Sequence, residues 1–460
     1  MNKYKLTVGL EIHVEVDTDT KMFCRCRNNT SDLPNTNVCP VCLGLPGALP
    51  APNQLAVEKI IKLGMALGGK IKADTKWDRK NYYYPDLPKG YQISQYDEPI
   101  VAGGEIDLGD KKIDITRIHL EEDTGKLSHP AGSPLSLIDL NRAGAPLIEM
   151  VSEPQLHDVQ DVKEFCQEFQ KILRHLDISS AQMERGKMRC EANVSVAKNE
   201  CEKLGTKVEV KNLNSFRAVE RSVIFEQRRQ IELLESGQEV IQETRGWSEN
   251  RQQTYSQRVK ESSEDYRYFP EPDIPRIDIT GLIAIATNTK SDNLPSQWRT
   301  NLRENFGLID QDAEAISKNK SLYNYFLETM QEVGGDISGK TVASWMIHSK
   351  FGSKIAKTDF VTLLKMVNDK TINDTFARDI ARRVIDGESL NSLLDGHKQL
   401  DEQECIIIIK QIVKQNPSAV ADYRAGKERA IQFLFGQLMK QTKGKINSDF
   451  AHQQLKKELS

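Results

Sequence analysis

The sequence lacks the features that mark membrane-spanning and exported proteins. No apolar run approaches the roughly 20 residues that a membrane-spanning helix needs. Residues Met1 to Tyr4 lead directly into a strand-like pattern, so we expect no signal or transit peptide. The 460 residues are 38% hydrophobic and 28% charged, as in ordinary globular proteins. We therefore predict a cytoplasmic protein that makes no membrane contact.

A strong charge imbalance is also missing, because the net charge is only −3. Any contact with nucleic acid must then come from a local patch. Residues 421–460 hold eight Lys and Arg against four Asp and Glu, a net charge of +4. This favours contact with a phosphate backbone, although a solvated helical face is the alternative. The candidate RNA-binding residues are Lys440, Lys443 and Lys445.

Proline becomes rare in the last third of the chain, which indicates a change of structure there. Residues 1–293 mix short alternating segments with loops that contain Gly and Pro, whereas helical spacing prevails afterwards. A polar stretch near residues 395–402 interrupts the helical pattern. We predict an α+β fold in three domains: a mixed domain over 1–293, a helical domain over 294–400 and a helical tail over 401–460.

Residues 6–16 alternate strictly between apolar and polar side chains. This period of two predicts a strand with one buried face. Glu11 and His13 then lie on the polar face, where they form a base for a metal ion or for proton transfer. The alternative for this strand alone is an ordinary solvated face.

Further acidic residues extend this pattern. Residues 188–196 and 207–211 also alternate, and a hairpin centred near position 200 places Glu191 opposite Glu209. Like charges opposite one another are destabilising, and a divalent cation such as Mg²⁺ would remove that cost.

The acidic run 119–123 follows a strand-like segment and contributes Glu122. These carboxylates, with Lys and Arg among them, are typical of phosphoryl transfer. Unrelated solvated faces remain the alternative.

The cysteines are concentrated in one short segment. Of the eight cysteines, Cys24, Cys26, Cys39 and Cys42 form two close pairs separated by twelve residues. Four thiolates at this spacing predict a closed tetrahedral Zn²⁺ site. Since all four positions are filled by protein, we expect the zinc to be structural. Free thiols or a redox pair are the alternatives.

Residues 334–341 match the phosphate-loop pattern GxxxxGK[ST]. That pattern requires a buried strand before it and a helix after it. Here the preceding residues have helical spacing, and Gly334 and Gly335 stand where a helix is expected to end. We therefore predict a helix–turn–helix connection at this point.

Several longer segments are distinctive. They are 8–15 (VGLEIHVE), 42–47 (CLGLPG), 78–82 (DRKNY), 91–95 (YQISQ), 119–123 (HLEED), 139–142 (DLNR), 211–215 (KNLNS), 265–273 (DYRYFPEPD) and 433–440 (FLFGQLMK). Together they resemble the family of aspartyl/glutamyl-tRNA(Asn/Gln) amidotransferase B subunits over essentially the whole chain. Archaeal relatives carry an additional inserted domain, for which this length leaves no space, so the bacterial form is favoured.

The resemblance implies a cradle-like catalytic domain of the glutamine synthetase type, followed by a helical domain and a tail that contacts tRNA. It implies a carbon–nitrogen ligase that uses ATP and Mg²⁺ to phosphorylate Glu or Asp on a misacylated tRNA. Ammonia then forms the amide. The ammonia would come from an amidase-type glutaminase, the A subunit of a heterotrimer that also contains a small C subunit. This chain shows no amidase motif of its own.

The resemblance also implies roles for individual residues. His13 and Glu122 match Mg²⁺ ligands, and Glu11, Glu191 and Glu209 match a second cation position. Cys24, Cys26, Cys39 and Cys42 correspond to a structural zinc site that some relatives lack. We further expect Lys211 to take part in catalysis. Lys80, Lys89 and Arg189 are candidates for binding phosphate.

Three rival functions remain open. One is a ligase of the same chemical class that acts on free amino acids. The second is a zinc-dependent RNA-binding module without catalysis, and the third is an ATPase that uses the phosphate-loop match. A requirement for charged tRNA, the effect of Glu122→Gln and the effect of Lys340→Ala would distinguish them.

Overall fold

The fold is known from a computed structural model, which describes most of the chain. The described residues are 3–29, 33–109, 111–130, 132–201, 203–259, 266–288, 294–347, 351–395, 402–425, 427, 429–442 and 448–459. The chain divides into two compact units, residues 1–296 and residues 297–460.

The first unit is built mainly from strands. They are β1 (Tyr4–Glu15), β2 (Lys70–Ile71), β3 (Asp74–Thr75), β4 (Asp78–Asn81), β5 (Tyr91–Ser94), β6 (Val101–Ala102), β7 (Glu105–Asp107), β8 (Lys112–Glu122), β9 (Lys126–Ser128), β10 (Leu137–Asp139), β11 (Pro146–Ser152), β12 (Met188–Lys198), β13 (Val208–Leu213), β14 (Glu243–Ser248), β15 (Gln253–Val259), β16 (Phe269–Pro270) and β17 (Ile277–Asp278). Its helices are α1 (Gln54–Ala66), α2 (Val159–His175), α3 (Phe216–Glu235) and α4 (Thr280–Asn288).

A ten-stranded sheet organises this unit. Its order is β15-β14-β13-β12-β1-β11-β8-β6-β2, and β7 pairs with β8. All neighbours are antiparallel except β13 and β14, which are parallel. A smaller sheet of order β16-β4-β5 and the pairs β9–β10 and β3–β17 complete the strands. The long central strand β1 therefore has a partner along both of its edges.

The alternation along β1 explains why one face of the sheet is buried. Leu10, Ile12 and Val14 are at most 1% exposed, as the sequence predicted. They share one core with Phe165 of α2 and Val219 of α3. Burial of each such side chain contributes about 1.5–3 kcal/mol. The opposite face of the strand carries the polar residues, which are therefore available for chemistry.

Local signals place the two helices that cover this core. The Asp158 side chain caps α2 by accepting a 2.7 Å hydrogen bond from the Gln160 N–H. Ser215 caps α3 in the same manner, with a 3.0 Å bond from the Ala218 N–H. Asp and Ser are among the best N-cap residues because their oxygens satisfy N–H groups that lack a partner in the helix.

The second unit is helical. Its helices are α5 (Pro295–Glu304), which starts at the boundary, α6 (Asp310–Ser317), α7 (Lys320–Val333), α8 (Gly339–Ile347), α9 (Lys357–Asn368), α10 (Asp374–Ile385), α11 (Leu390–Asp395), α12 (Glu402–Gln415), α13 (Pro417–Arg424), α14 (Arg429–Gln441) and α15 (Ser448–Leu459). Buried side chains from α5 to α11 form one core. Those from α12, α14 and α15 form another, against which partly buried side chains of α13 pack.

The phosphate-loop match lies between two helices, as predicted. α7 ends at Val333, Gly334 adopts a φ of +69°, and α8 begins at Gly339 after a short 3-10 turn. A positive φ favours glycine, which explains the helix stop. Because a helix precedes the match in place of a strand, the match lacks the context of a phosphate loop.

The predicted α+β class is confirmed by the mixed sheet of the first unit and the helices of the second. The predicted division into three domains, and the likeness of the first to glutamine synthetase, stay predictions. The boundary proposed near 395–402 falls largely on residues 396–401, outside the described residues.

Candidate active site

The polar face of β1 brings an imidazole and carboxylates together. His13 is paired in register with Glu149 of the neighbouring strand β11. Its Nε2 atom lies 3.4 Å from Glu149 Oε2 and 3.8 Å from Glu11 Oε1. Ligand atoms of these three residues all lie within 4.8 Å of one another. This spacing is suited to a single bound cation.

Two residues of β8, His119 and Glu121, lie beside His13 and Glu149. His119 is paired with Glu149 across β8 and β11, and its Nε2 atom lies 3.5 Å from Glu149 Oε2. Glu121 Oε1 lies 3.7 Å from His13 Nε2. The other Glu121 oxygen accepts a 3.0 Å hydrogen bond from Ser94 Oγ. Glu149 therefore stands between two histidines, with Glu121 beside it.

Glu122 is not part of this group, which differs from the arrangement expected from the sequence. Successive residues of a strand point to opposite faces, so Glu121 faces His13 and Glu122 faces away. The Glu122 carboxylate pairs with Lys89 and accepts a 2.9 Å bond from the Ile93 N–H. The predicted strand ended before the acidic run, whereas β8 continues through Glu122.

A second carboxylate group lies further along the same face. Ligand atoms of Glu11, Glu191 and Glu209 lie within 4.8 Å of one another, so the structure brings together the three residues that the sequence singled out. The predicted register was wrong, because Glu209 pairs with Asn193. This pairing centres the hairpin near position 201, and a separate register shift follows between residues 190 and 192. Glu191 thus reaches Glu209 diagonally and not from directly opposite.

Two side chains hold the second group. Lys211 Nζ lies 2.8 Å from Glu191 Oε2 and 3.8 Å from Glu209 Oε1. Thr244 Oγ1 donates a 2.8 Å hydrogen bond to Glu209 Oε2 from β14. A lysine between two carboxylates lowers their mutual repulsion, and the hydroxyl fixes the orientation of one of them.

The electrostatics show how crowded the negative charge is. Burial raises the pKa of Glu11 to about 7, and the charges of Glu149 and Glu191 add to this effect. Burial alone would lower the pKa of His13, but its hydrogen bond to Glu149 and the surrounding carboxylates raise it to about 9. Burial lowers the pKa of His119 to about 4. Carboxylates gathered in this way suit a divalent cation, because its charge replaces that of the protons.

The candidate phosphate-binding residues have different surroundings. Lys80 Nζ lies 4.0 Å from Glu121 Oε2, beside the first group. Arg189 donates a 2.6 Å hydrogen bond to Asp123, one residue beyond Glu122. The Lys89 side chain is only 7% exposed and is paired with Glu122. Lys80 is therefore better placed than Lys89 to bind a phosphate group near His13.

The four clustered cysteines come together as predicted. Their sulfur atoms all lie within 4.8 Å of one another, and those of Cys39 and Cys42 are 3.9 Å apart. Tetrahedral zinc with Zn–S bonds of about 2.3 Å requires sulfur atoms about 3.8 Å apart. The buried Lys21 Nζ lies 3.8 Å from Cys42 Sγ. The geometry therefore fits a four-thiolate metal site, and the identity of the metal stays a prediction.

Three residues of the first group, Glu149, Glu121 and His119, were not predicted from the sequence. Glu149 interrupts the apolar strand Pro146–Ser152, where a buried charge without a partner would be costly. A lone glutamate in such a strand is a signal that can be found from sequence. His119 and Glu121 alternate along β8, and an extension of the strand through residue 122 would have placed them on one face.

Comparison with known proteins shows the family of the chain. A family model described as the GatB/GatE catalytic domain matches residues 6–284, and one described as the GatB domain matches residues 313–459. The chain is 41% identical to the aspartyl/glutamyl-tRNA(Asn/Gln) amidotransferase B subunit of Dehalococcoides mccartyi strain CBDB1 and 40% identical to that of Carboxydothermus hydrogenoformans. The first match covers 100% of this chain and 99% of its relative, and the second covers 100% of both. The chain belongs to this family of amidotransferase B subunits.

Membership of the amidotransferase B-subunit family makes the chain part of a carbon–nitrogen ligase that depends on glutamine. All the residues of both carboxylate groups and all four clustered cysteines lie within the match to the catalytic-domain model. Within the part of the chain that the structure describes, every helix is too short or too polar to cross a lipid bilayer.

The tail residues proposed to bind RNA fall in the match to the second model. Lys443 and Lys445 lie outside the described residues, and Lys440 belongs to α14 but its side chain is not described. Their role in tRNA binding stays a prediction.

Proposed function

We propose that the chain activates the side-chain carboxylate of glutamate or aspartate esterified to tRNA and then converts it to the amide. The γ-phosphoryl group of ATP passes to a carboxylate oxygen, giving ADP and an acyl phosphate. The lone pair of ammonia attacks the carbonyl carbon, the bond to the phosphate oxygen breaks, and the nitrogen loses a proton. The products are Gln-tRNA(Gln) and Asn-tRNA(Asn). Activation is needed because a carboxylate is a poor electrophile.

The observation that carries this proposal is the pair of carboxylate groups on one sheet face, with Lys80 and Lys211 beside them. Metal-binding carboxylates next to lysines are the usual equipment for phosphoryl transfer, which depends on positioning and charge neutralisation. The names of the relatives, which specify tRNA for asparagine and glutamine, support the choice of substrate.

We assign Mg²⁺ to two positions. His13, Glu121 and Glu149 would hold the first, with Glu121 in the place that was expected for Glu122. Glu11, Glu191 and Glu209 would hold the second. When bound, Mg²⁺ neutralises charge on the transferring phosphate.

The side chains behind these ligands keep them in position. Ser94 holds one oxygen of Glu121, and Thr244 holds one oxygen of Glu209. Lys211 keeps Glu191 and Glu209 together before a cation binds, and Lys80 would meet phosphate next to Glu121. We give Lys89 no phosphate contact, because it is buried against Glu122.

The cysteine cluster would hold structural Zn²⁺. Four thiolates leave no open position for a substrate. The described residues of the loop, 24–29 and 33–42, include few buried apolar side chains. We therefore assign the metal to stabilisation of this loop.

Other polypeptides would supply the ammonia. We propose a heterotrimer in which this chain joins an amidase-type glutaminase, the A subunit, and a small C subunit, acting in the cytoplasm. We also keep the three-domain division of the chain, with the tail over 401–460 in contact with tRNA. Ammonium salts should then replace glutamine as the nitrogen source.

The test is amide formation by the full complex. Glu-tRNA(Gln), ATP, Mg²⁺ and ammonium chloride are supplied, and the amino acid on the tRNA is scored as Glu or Gln. Wild type is compared with Glu11→Gln and with the control Glu105→Gln. Glu105 is exposed, lies on the short strand β7 and pairs with Lys112 of β8. We expect amide from wild type and the control but not from Glu11→Gln.

If wild type produces no amide from Glu-tRNA(Gln), the assay is repeated with Asp-tRNA(Asn). Failure with both substrates would refute the proposed reaction. Amide formation by Glu11→Gln at the wild-type rate would refute the second cation position while leaving the reaction itself in place.

A further inference from the structure

A group of tyrosines leads from the candidate active site to the protein surface. We call Tyr82, Tyr83, Tyr84, Tyr96, Tyr266 and Tyr268 the tyrosine surface. Its inner end is fixed by Lys80, whose Nζ atom lies 4.0 Å from Glu121 and 5.3 Å from the centroid of the Tyr266 ring. The tyrosine surface therefore begins directly beside the first carboxylate group.

Four rings of this surface, those of Tyr82, Tyr96, Tyr266 and Tyr268, contact one another. Tyr266 packs edge-on against Tyr82 and Tyr268, with ring centroids 6.0 and 6.1 Å apart. Tyr268 is stacked on Tyr96, at 4.3 Å and an interplanar angle of 11°. These contacts connect the four rings into one aromatic cluster.

The outer rings are open to solvent. Tyr83 is 80% exposed, Tyr84 59% and Tyr96 46%. Tyr83, Tyr84 and Gly90 also line a shallow concavity. The Arg267 guanidinium lies 5.8 Å from the centroid of the Tyr83 ring. Several exposed aromatic rings with cations beside them are more than scattered surface residues and indicate a binding surface.

The backbone supports this interpretation. Arg267 has a φ of +44°, which is uncommon for a residue with a side chain. Its carbonyl accepts a 2.9 Å hydrogen bond from Asn81 Nδ2, which helps to hold the segment. Arg267 lies between Tyr266 and Tyr268 in the chain, and the rings of these two tyrosines contact each other. Strain of this kind is retained where the surrounding structure enforces it, and it clusters at functional sites.

We propose that the tyrosine surface binds the unpaired nucleotides at the 3′ end of the tRNA by stacking their bases. The inference rests on the proposed function, because the amino acid is esterified to the terminal ribose. If its carboxylate reaches Glu121 and Glu149, the last nucleotides must lie next to Lys80, where the tyrosine surface begins. Aromatic faces combined with Lys and Arg are typical of single-strand binding, since every base can stack.

The test measures binding of an uncharged acceptor-stem RNA hairpin to the full-length chain. One hairpin keeps its unpaired 3′ end and the other is blunt. Tyr83→Ala and Tyr96→Ala are compared with Tyr83→Phe and Tyr96→Phe, which keep an aromatic ring. Tyr255→Ala is the control, because Tyr255 is also exposed but lies on β15, an edge strand of the large sheet. Thermal melting confirms that each variant is folded.

We expect wild type to prefer the hairpin with the unpaired end. Each alanine variant should bind that hairpin roughly tenfold more weakly, as loss of a stacked base predicts, and should bind the blunt hairpin as wild type does. The phenylalanine variants and Tyr255→Ala should be unchanged. An equal loss of affinity for both hairpins, or no loss of affinity in either alanine variant, would overturn the proposal.

The result of the RNA-binding test can be distinguished from the result of the amide-formation test. Amide formation by wild type, with no change of RNA binding in the alanine variants, would refute only the tyrosine surface. Selective loss of binding to the unpaired end, with no amide formed by wild type, would support the tyrosine surface and refute the reaction. In the amide assay, the alanine variants should raise KM for the charged tRNA and leave KM for ATP unchanged.

Discussion

His13 on β1 is paired with Glu149 on the neighbouring antiparallel strand β11, and the His13 Nε2 atom lies 3.4 Å from the Glu149 carboxylate. Glu149 also lies 3.5 Å from His119 on its other side. Burial disfavours charge on Glu149, but the adjacent His119, His13 and Lys80 outweigh it and hold its pKa well below the usual range. Glu149 is therefore an anion at the centre of the site and the strongest candidate for a cation ligand.

Replacement of Glu149 by glutamine tests this role. Glu149→Gln removes the negative charge but keeps the size of the side chain. We expect the Mg²⁺ concentration needed for half-maximal amide formation to rise roughly tenfold or more, since even indirect supports of a metal site contribute tenfold or more to its affinity. Glu105→Gln is the control. An unchanged Mg²⁺ requirement would show that Glu149 does not bind the ion.

The strands that carry the site were predictable because their pattern is local. The alternation of residues 6–16 located β1 and assigned Glu11 and His13 to its polar face, and the structure agrees. The spacing of the four cysteines likewise predicted a cluster that the structure brings together. In both cases the information lies within a few consecutive residues.

The remaining errors come from pairings between distant parts of the chain. The sequence did not show that β11 lies between β1 and β8, so the partnership of His13 with Glu149 was missed. The pairing of Glu209 with Asn193 centres the hairpin near position 201, whereas the pattern predicted a centre near 200, so Glu209 pairs two residues away from Glu191. The strand-like segment was expected to end at Ile118, whereas β8 continues through Glu122, so that Glu121 and not Glu122 faces His13. Which of the two carboxylates binds a cation stays a prediction.

Loss of one cysteine should release the metal from the loop. Cys39→Ser replaces a strong thiolate ligand by a hydroxyl, so we expect elemental analysis to find less than half of the wild-type zinc. The loop from Cys24 to Cys42 should then exchange its amide hydrogens faster. Cys201→Ser is the matched control, because Cys201 is exposed and lies outside the cluster. Equal zinc in both variants would contradict the four-thiolate site.

A buried ionic network on α3 should dominate the stability of this part of the sheet. The Glu226 side chain is fully buried and accepts hydrogen bonds from Arg229, including one of 3.1 Å from Nε. Arg245 Nε lies 3.6 Å from the same carboxylate. Removal of one partner leaves buried charges uncompensated, which typically costs about 3–5 kcal/mol.

We therefore expect Glu226→Ala to lower the free energy of unfolding of the first unit by about 3 kcal/mol. Urea denaturation measures this change. Glu232→Ala on the exposed side of α3 is the control and should change stability by less than about 0.5 kcal/mol. Similar losses in the two variants would mean that the network contributes little.

The surface pair of Glu98 and Arg276 should make stability depend on pH. Hydrogen bonds from Arg276 and Lys72 lower the pKa of Glu98 to about 2, from an ordinary value of 4.5. A carboxyl group whose pKa is lower in the folded state stabilises the protein above the unfolded pKa. That contribution is lost as pH falls from about 4.5 towards 2.

The difference in stability between wild type and Glu98→Gln is the quantity to measure. We expect a small advantage for wild type at about pH 6, since exposed ion pairs contribute little, and its steady disappearance below pH 4.5. High salt at neutral pH should reduce it as well. An advantage that grows on acidification would contradict the lowered pKa.

Substitutions of the adjacent residues Glu121 and Glu122 should change metal affinity to different extents. Glu121 faces His13 at 3.7 Å, whereas Glu122 faces Lys89 on the other side of the strand. Glu121→Gln should therefore weaken metal binding roughly tenfold or more. Glu122→Gln should leave metal affinity near the wild-type value. The amide keeps the size of the side chain, and the lost charge weakens only the ion pair with Lys89.

Mn²⁺ binding to the full-length chain, followed by electron paramagnetic resonance, measures metal affinity without depending on catalysis. The reverse order, with Glu122→Gln the weaker binder, would restore the ligand set inferred from the sequence and would mean that β8 rotates its side chains when a cation binds.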